Sequence, residues 1–573
     1  MTPKAIRIFF AMFLLFVIFF AFGSDLARIK NGGFFSDEST YFAIMQSLAF
    51  DGDLEYTRED IMRIRREYWV GPMGLFLKQA RDGRLYYAKS FIHPLALAPF
   101  FRLWGSHGIL LANGLMLFLV VLMGFLLLRR FHEPGRSLAF TLVYVFGSVS
   151  FIYVWWVTAD LFNFFVNFAA LFFFFYEFKR PAWGYAAALF MAAAVFSKPN
   201  NLLHFGLLFL LLLHRRQWKR FVILGLLCVL FLGALFAFNY VQTGEVNYQG
   251  GERRSFYGNF PLERDDFSFA GGYKMSTDTY WNRFFLSPAI AVLNAFYFFF
   301  GRFTGMLLYF PPAFFLLLFF FFQRKHASDW FLLAAIAAAI LCCILLMPDN
   351  YFGGGGSLGN RYFLSIYPLF FFLGLRERRL RSPLVSLAPV AAAIIFLSPV
   401  LLNGLQHSAF PRYPGLSFPI RLFPPEKTQY ATLPSNTNPR AFNRRIAGKY
   451  TLFFLNDNYN PIEGEAFWTH ADKQLELFVL APGKVQRFTF QLKNIPRDNH
   501  VRLQVEHKAR TVFIPAGEVR SVSFSHVPGL RFFSRYLYLV KIKSRKYFCP
   551  FFADPATQDR RLLGVQAHLL LEY

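Results

Sequence analysis

Apolar runs of about 20 residues recur through the first 400 positions, each long enough to cross a bilayer as a helix. The pattern predicts eleven spans: 6–22, then near 108–128, 137–156, 160–178, 183–198, 202–214, 220–240, 303–322, 329–347, 361–375 and 383–402. The first run lacks a small-residue cleavage site and more spans follow, so we read it as a retained helix rather than a secretory signal. Two polar regions interrupt the series, 23–107 and 241–302; the first is long enough for interfacial helices, and the second is rich in Gly, Arg and Asp. After position 404 the period changes. A Pro-rich linker, "PRYPGLSFPIRLFPPEK", leads into "QLELFVLA", "VQRFTFQLKN", "VRLQVEHKA", "RTVFIP", "VRSVSFSHV" and "YLYLVKIKS". Alternation of apolar and polar residues, bounded by Gly, Pro and Asn, predicts half-buried strands, and several in this length suggest a β-sandwich. The fold expected is a polytopic α-helical membrane domain over 1–403 with a β-rich domain over 404–573.

Charge orients this arrangement. Basic clusters at Arg129/Arg130, Lys179/Arg180, His214 to Arg220, Arg324/Lys325 and Arg376 to Arg381 all fall on one side, with Lys4 and Arg7. Positive residues gather on the cytoplasmic face, so the N-terminus is expected inside. An odd number of spans then puts the C-terminal domain outside a plasma (inner) membrane. Composition agrees: 55% of the 573 residues are hydrophobic and 80 are Phe, more apolar side chain than a soluble core of this size can hide. The net charge of +26 follows the positive-inside rule and does not call for nucleic acid. From His407 onward 24 Lys and Arg face 12 Asp and Glu, a bias that suits anionic head groups or an acidic glycan, or simply a soluble basic domain. The four Cys show no disulfide framework or metal-ligand spacing.

Candidate chemistry lies at the predicted outer edge. Asp37 and Glu38, in "NGGFFSDESTYF", are either a helix start, with Ser36 or Asp37 as the N-cap and acids in the first turn, or a general base or metal-associated carboxylate at the external membrane face. Asp51 and Asp53, in "DGDL", read as a turn or as a carboxylate pair for Mg2+ or Mn2+; no other cofactor is implied. Asp160 sits at the outer end of two spans, where interfacial solvation and function are equal explanations. Lys198, in "FSKPNN", stands outside against the positive-inside bias, as a phosphate ligand or a snorkelling side chain. Arg361 follows "GGGGSLGN", whose glycines allow close backbone approach to a ligand or form a flexible loop.

Four stretches, in order and on one predicted side, carry a family resemblance: "SDESTYFAIMQSLAFDGDLEY", "DGRLYYAKSFIHPLALAPFF", "GRFTGMLLYFPPAFFLLLFF" and "GGGGSLGNRYFLSIYPLFFFL". They resemble the GT-C superfamily of membrane glycosyltransferases, which includes protein O-mannosyltransferases and the aminoarabinose transferase of lipid A. "GEAFWT" and "DPATQDRRLLGV" look like the β-domain of some bacterial members. The resemblance implies transfer of a sugar from a polyprenyl-phosphate carrier to a glycan, lipid or protein acceptor in the envelope. It places Asp37 at the family's acidic position, with Glu38 as the fallback. Lys198, Arg361 and Arg302 would hold the donor phosphate; Lys89, His93 and Asp160 would face acceptor or substrate, His93 also being a structural histidine on the plainer reading. The "WWDYG" signature is absent, which argues against en bloc glycan transfer to Asn. The rival is a multi-pass lipid or glycan transporter or flippase, but no internal repeat is visible and the charges cluster at one edge rather than the midplane.

Overall fold

The computed structural model describes all residues except 1, 31–32, 69–70, 177–180, 250, 275–287, 323–324, 355, 374–382, 409–417, 434–442, 447–448 and 555. The clusters Lys179/Arg180 and Arg376 to Arg381, and Arg324, lie outside the described residues.

Among the described residues four helices are long and apolar enough to cross a membrane: Pro3–Gly23, Ile92–Leu128, Trp218–Thr243 and Ala327–Leu346. A fifth is a broken pair, Pro134–Phe146 and Val149–Trp155, bent by 65°. The eleven continuous spans expected from hydropathy are therefore not what the described residues form. Several runs fold as shorter apolar helices, among them Ala159–Phe175, Asn201–His214 and Pro311–Phe320. Hydropathy counts apolar residues and is blind to breaks. Within 303–322 the chain makes Met306–Tyr309, then restarts at Pro311, whose fixed φ suits the first turn of a new helix. Within 361–375 it makes a 3-10 turn, Arg361–Ser365, followed by Tyr367–Phe372. One apolar helix, Pro288–Phe300, lies inside the second polar region, where no span is expected.

The two polar regions meet in one antiparallel sheet, ordered Leu85–Tyr87, Leu75–Gln79, Glu252–Phe256, Tyr273–Lys274. Leu75 pairs with Phe256 and Gln79 with Glu252. Beside this sheet runs the helix Asp37–Phe50, buried along most of its length.

The tail is β-rich, as its alternation predicts. One sheet includes Asn499–Val505, Arg535–Ser544, Gln474–Ala481 and Tyr450–Phe454. The other is ordered Val519–Ser525, Arg487–Lys493, Leu563–Glu572, Ala466–His470. Leu475, Leu477 and Val479 of the first share a core with Phe488, Phe490 and Leu569 of the second. The central strand Gln474–Ala481 departs from the half-buried expectation: seven of its eight residues are buried. Its other face, through Phe478 and Leu480, joins the core of the helical part.

The end of the expected linker is also interior. Glu426, Thr428 and Gln429 are fully buried. Glu426 Oε1 accepts from the Phe303 amide (2.9 Å), the Thr304 amide (2.7 Å) and Thr304 Oγ1 (2.8 Å). Gln429 Nε2 donates to the Pro348 carbonyl at 2.6 Å, and its Oε1 accepts from the Tyr351 amide at 3.1 Å. These bonds satisfy backbone groups freed where the helices break, as buried polar groups require.

Candidate active site

Asp37 opens the helix Asp37–Phe50, preceded by Ser36 in a left-handed backbone conformation (φ 52°) with no side-chain cap bond. The capping role is therefore unfilled, and the Asp37 carboxylate is engaged elsewhere. Its Oδ1 lies 2.8 Å from Lys89 Nζ, and its Oδ2 accepts from Arg361 Nη2 at 2.8 Å. Lys89 comes from the bend between the strand Leu85–Tyr87 and the helix Ile92–Leu128. Arg361 starts its 3-10 turn, 324 residues from Asp37.

Asp160, in the first turn of Ala159–Phe175, continues the chain of charges. Its Oδ1 accepts from Lys198 Nζ at 2.6 Å; its Oδ2 accepts from Thr158 Oγ1 at 2.8 Å and lies 3.6 Å from Arg361 Nη1. The order is Lys89, Asp37, Arg361, Asp160, Lys198: three cations alternate with two carboxylates, leaving one positive charge uncompensated. Burial pushes the Asp37 carboxyl up, but the Lys89 ammonium and Arg361 guanidinium outweigh it and hold the group well below the usual carboxylate range.

The glycine loop shapes the guanidinium. Arg361 Nε donates to the Gly353 carbonyl at 2.6 Å, and Gly353 has φ +96°. The loop thus serves close approach, to the protein's own arginine.

These five charged residues line a cavity of about 420 Å³. Tyr41, Tyr248 and Tyr362 add polar edges, and Tyr362 stacks under Lys198 Nζ at 4.9 Å. Cys342, Cys343, Leu346 and Met347, at the end of Ala327–Leu346, form a less polar part of the wall. Hydropathy placed both cysteines inside a span and gave no sign of this; a signal was their position one turn from the span's end.

Three expected site residues stand elsewhere. Glu38, buried, pairs with Lys30 Nζ at 2.7 Å and accepts from the Val157 amide at 3.0 Å, because neighbours on a helix point different ways. Arg302 is buried in ion pairing with Glu476 of the β-rich tail, donates to the Phe423 and Arg421 carbonyls, and does not line the cavity. His93 is buried between the rings of Tyr41 and Phe162, with neither ring nitrogen bonded among the described residues. The "DGDL" stretch is a turn. Gly52 has φ +80°, Asp51 is bound by both terminal nitrogens of Arg63, and Asp53 accepts from Ser47 Oγ and the Glu55 amide. Among the described residues there is no group of three or more His, Cys, Asp or Glu that could hold a metal ion, and both carboxylates of this stretch are engaged by protein partners.

No family model matches the chain, and no curated protein matches it. Solved structures do. The chain is similar to ArnT from Cupriavidus metallidurans bound to undecaprenyl phosphate, at 13% identity and a TM-score of 0.38, over 71% of this chain and 74% of that one. It is similar to the same protein in the apo state at 15% identity and a TM-score of 0.37, over 70% and 62%. It is also similar to the arabinosyltransferase EmbB from Mycobacterium smegmatis at 10% identity and a TM-score of 0.30, over 100% and 66%. At these scores the likeness is one of outline.

Proposed function

We propose that the protein is an integral membrane glycosyltransferase that moves a sugar from a polyprenyl-phosphate carrier to an envelope acceptor on the outer face. The observation that carries this reading is the convergence of Lys89, Asp37, Arg361, Asp160 and Lys198, drawn from five separate stretches, around one cavity. The motif resemblance supplies the reaction; the cluster has the groups the reaction needs.

An acceptor hydroxyl attacks the anomeric carbon. The bond from that carbon to the phosphate oxygen breaks, its electron pair leaves with the phosphate, and the hydroxyl proton passes to a carboxylate. Asp37 is that carboxylate, since Asp160 is deeper and its side chain is only 3% exposed. The leaving phosphate gains a charge, which Lys198 and Arg361 stabilise. The less polar wall at Cys342, Leu346 and Met347 suits the start of the isoprenoid chain.

The test is mass spectrometry of lipid that co-purifies with the protein, followed by transfer assays with that carrier. Polyprenyl phosphate should accompany the native chain, with tenfold or weaker binding in the Lys198→Ala and Arg361→Ala variants, about 1.5–3 kcal/mol per lost contact. Asp37→Asn should bind the carrier and lose about 10²–10⁴ in transfer rate. Unchanged carrier binding by both alanine variants refutes the phosphate assignment, and normal turnover of Asp37→Asn refutes the base.

A further inference from the structure

We propose that the donor phosphate and Asp37 compete for the same cations, so that docking of the phosphate is the event that unmasks Asp37 as a base. The proposal rests on the glycosyl-transfer reading above.

The ligand-free cluster is closed on itself. Both Asp37 oxygens are taken, Oδ1 by Lys89 and Oδ2 by Arg361, each at 2.8 Å. A carboxylate held by two cations is a poor proton acceptor, since each stabilises its charged form. The groups facing Asp37 are Lys89 from its bend, Arg361 from its 3-10 turn, Tyr41 one helical turn on and Tyr257 just past the strand Glu252–Phe256, with Asp160 behind Arg361. Among the described residues no further cation pairs with Asp37 to replace one that leaves.

Arg361 is the member able to change partners. Its Nη2 is bonded to Asp37, while Nη1 lies 3.6 Å from Asp160, beyond hydrogen-bond range. Lys198 is committed to Asp160 at 2.6 Å on the far side. A phosphodiester brings one negative charge to a cluster with one positive charge in excess. Three cations must then serve three anions where they had served two. The phosphate draws its share from Arg361 and Lys198, and Asp37 gives up a contact.

The cycle closes in balance. The acceptor oxygen bonds to the anomeric carbon, the carbon–oxygen bond to phosphate breaks, and its electron pair makes the phosphate a monoester with a second charge. The hydroxyl proton moves to Asp37. The doubly charged product holds the cations more strongly than the donor did, so protonated Asp37 persists. When the carrier leaves, Lys89 and Arg361 return to Asp37 and drive the proton off to water. Without a donor, the acceptor meets a masked base.

The test needs no knowledge of the sugar. Farnesyl methyl phosphate, a diester whose single charge does not titrate in the carboxylate range, is bound by the purified full chain near pH 4, about the ordinary Asp value. Proton uptake is followed in weak buffer, and the protonated-carboxyl band by infrared difference spectroscopy. Binding by the native chain should take up protons and raise that band; Asp37→Asn should bind the probe with clearly smaller uptake. Binding with no uptake and no band overturns the proposal and leaves the glycosyltransferase reading standing. Equal uptake by Asp37→Asn also overturns it, assigning the proton elsewhere. Failure of the native chain to bind the probe removes both readings together, and the infrared measurement on the native chain stands even if the variant does not fold.

Discussion

A Cβ added at Gly353 would lie 2.4 Å from Arg361 Nε, closer than any side chain tolerates, at a backbone φ of +96°. Gly354 has a similar φ of +92°, but its Cβ would meet nothing nearer than 3.8 Å. The pair separates strain from displacement. Both alanine variants should lose about 1 kcal/mol of stability through the left-handed backbone. Only Gly353→Ala should also weaken carrier binding, because only there does the new methyl push the guanidinium. Equal binding by the two variants, measured by titration with polyprenyl phosphate, would separate Arg361 from the phosphate. The adjacent acids part in the same manner. Glu38→Ala leaves the Lys30 ammonium buried without its partner, a loss of about 3–5 kcal/mol. It should therefore lower the melting temperature far more than Asp37→Asn does, and thermal unfolding of the two purified variants checks this.

At the scale of elements, the helix Ala159–Phe175 and the turn after Ala186–Ser197 hold Lys198 in place. Asn163 Nδ2 donates to Ser197 Oγ at 2.8 Å, and Asn163 Oδ1 accepts from Asn201 Nδ2 at 3.0 Å. Asp160 and Asn163 are one turn apart on one helix, so the same face grips the ammonium and the turn that bears it. Asn163 is fully buried, and Asn163→Ala should cost about 1–3 kcal/mol through the partners left unpaired. Carrier KM should rise more than kcat falls, since the substitution moves a binding group and leaves Asp37 untouched. A fall in kcat with KM unchanged would place Asn163 outside the binding role. This grip shows where sequence reading stops. Asp37, Asp160, Lys198 and Arg361 were legible because each lies in a stretch with its own signal, an acid pair, a charge within a span, a cation on the wrong side, a glycine run. Asn163 and Asn201 are polar residues in apolar runs, and their partners sit 34 and 38 residues away. Nothing in one run announces a partner in the next. Arg302 misled for the same reason, since its carboxylate lies 174 residues on.

Across the whole molecule, the strands of the tail were legible from period-two alternation, while the docking of the tail was not. Alternation reports one buried face; Gln474–Ala481 buries two, because the helical part covers the other. The segment joining the two parts is built around Glu426, whose carboxylate bonds the backbone at Phe303 and Thr304 while Oε2 has no partner among the described residues. Burial pushes this carboxyl up to about 7, from an ordinary 4.5, even though the bonds from Thr304 and Phe303 pull it down. The folded chain thus keeps the proton up to about pH 7, whereas the unfolded chain releases it near 4.5. Its contribution to stability is full below pH 4.5, declines between the two values, and is lost as pH rises through 7. The span corresponds to a loss on the order of 3 kcal/mol. Glu426→Gln keeps an oxygen for the same three donors and cannot ionise, so it imitates the protonated state at every pH. The native chain and the variant should melt at similar temperatures near pH 5. By pH 8 the variant should melt higher, and the difference should follow a single titration centred between those values. If the two melting curves run parallel across this range, Glu426 carries its charge in the folded chain, and the junction between helices and tail is then held by an ionised carboxylate.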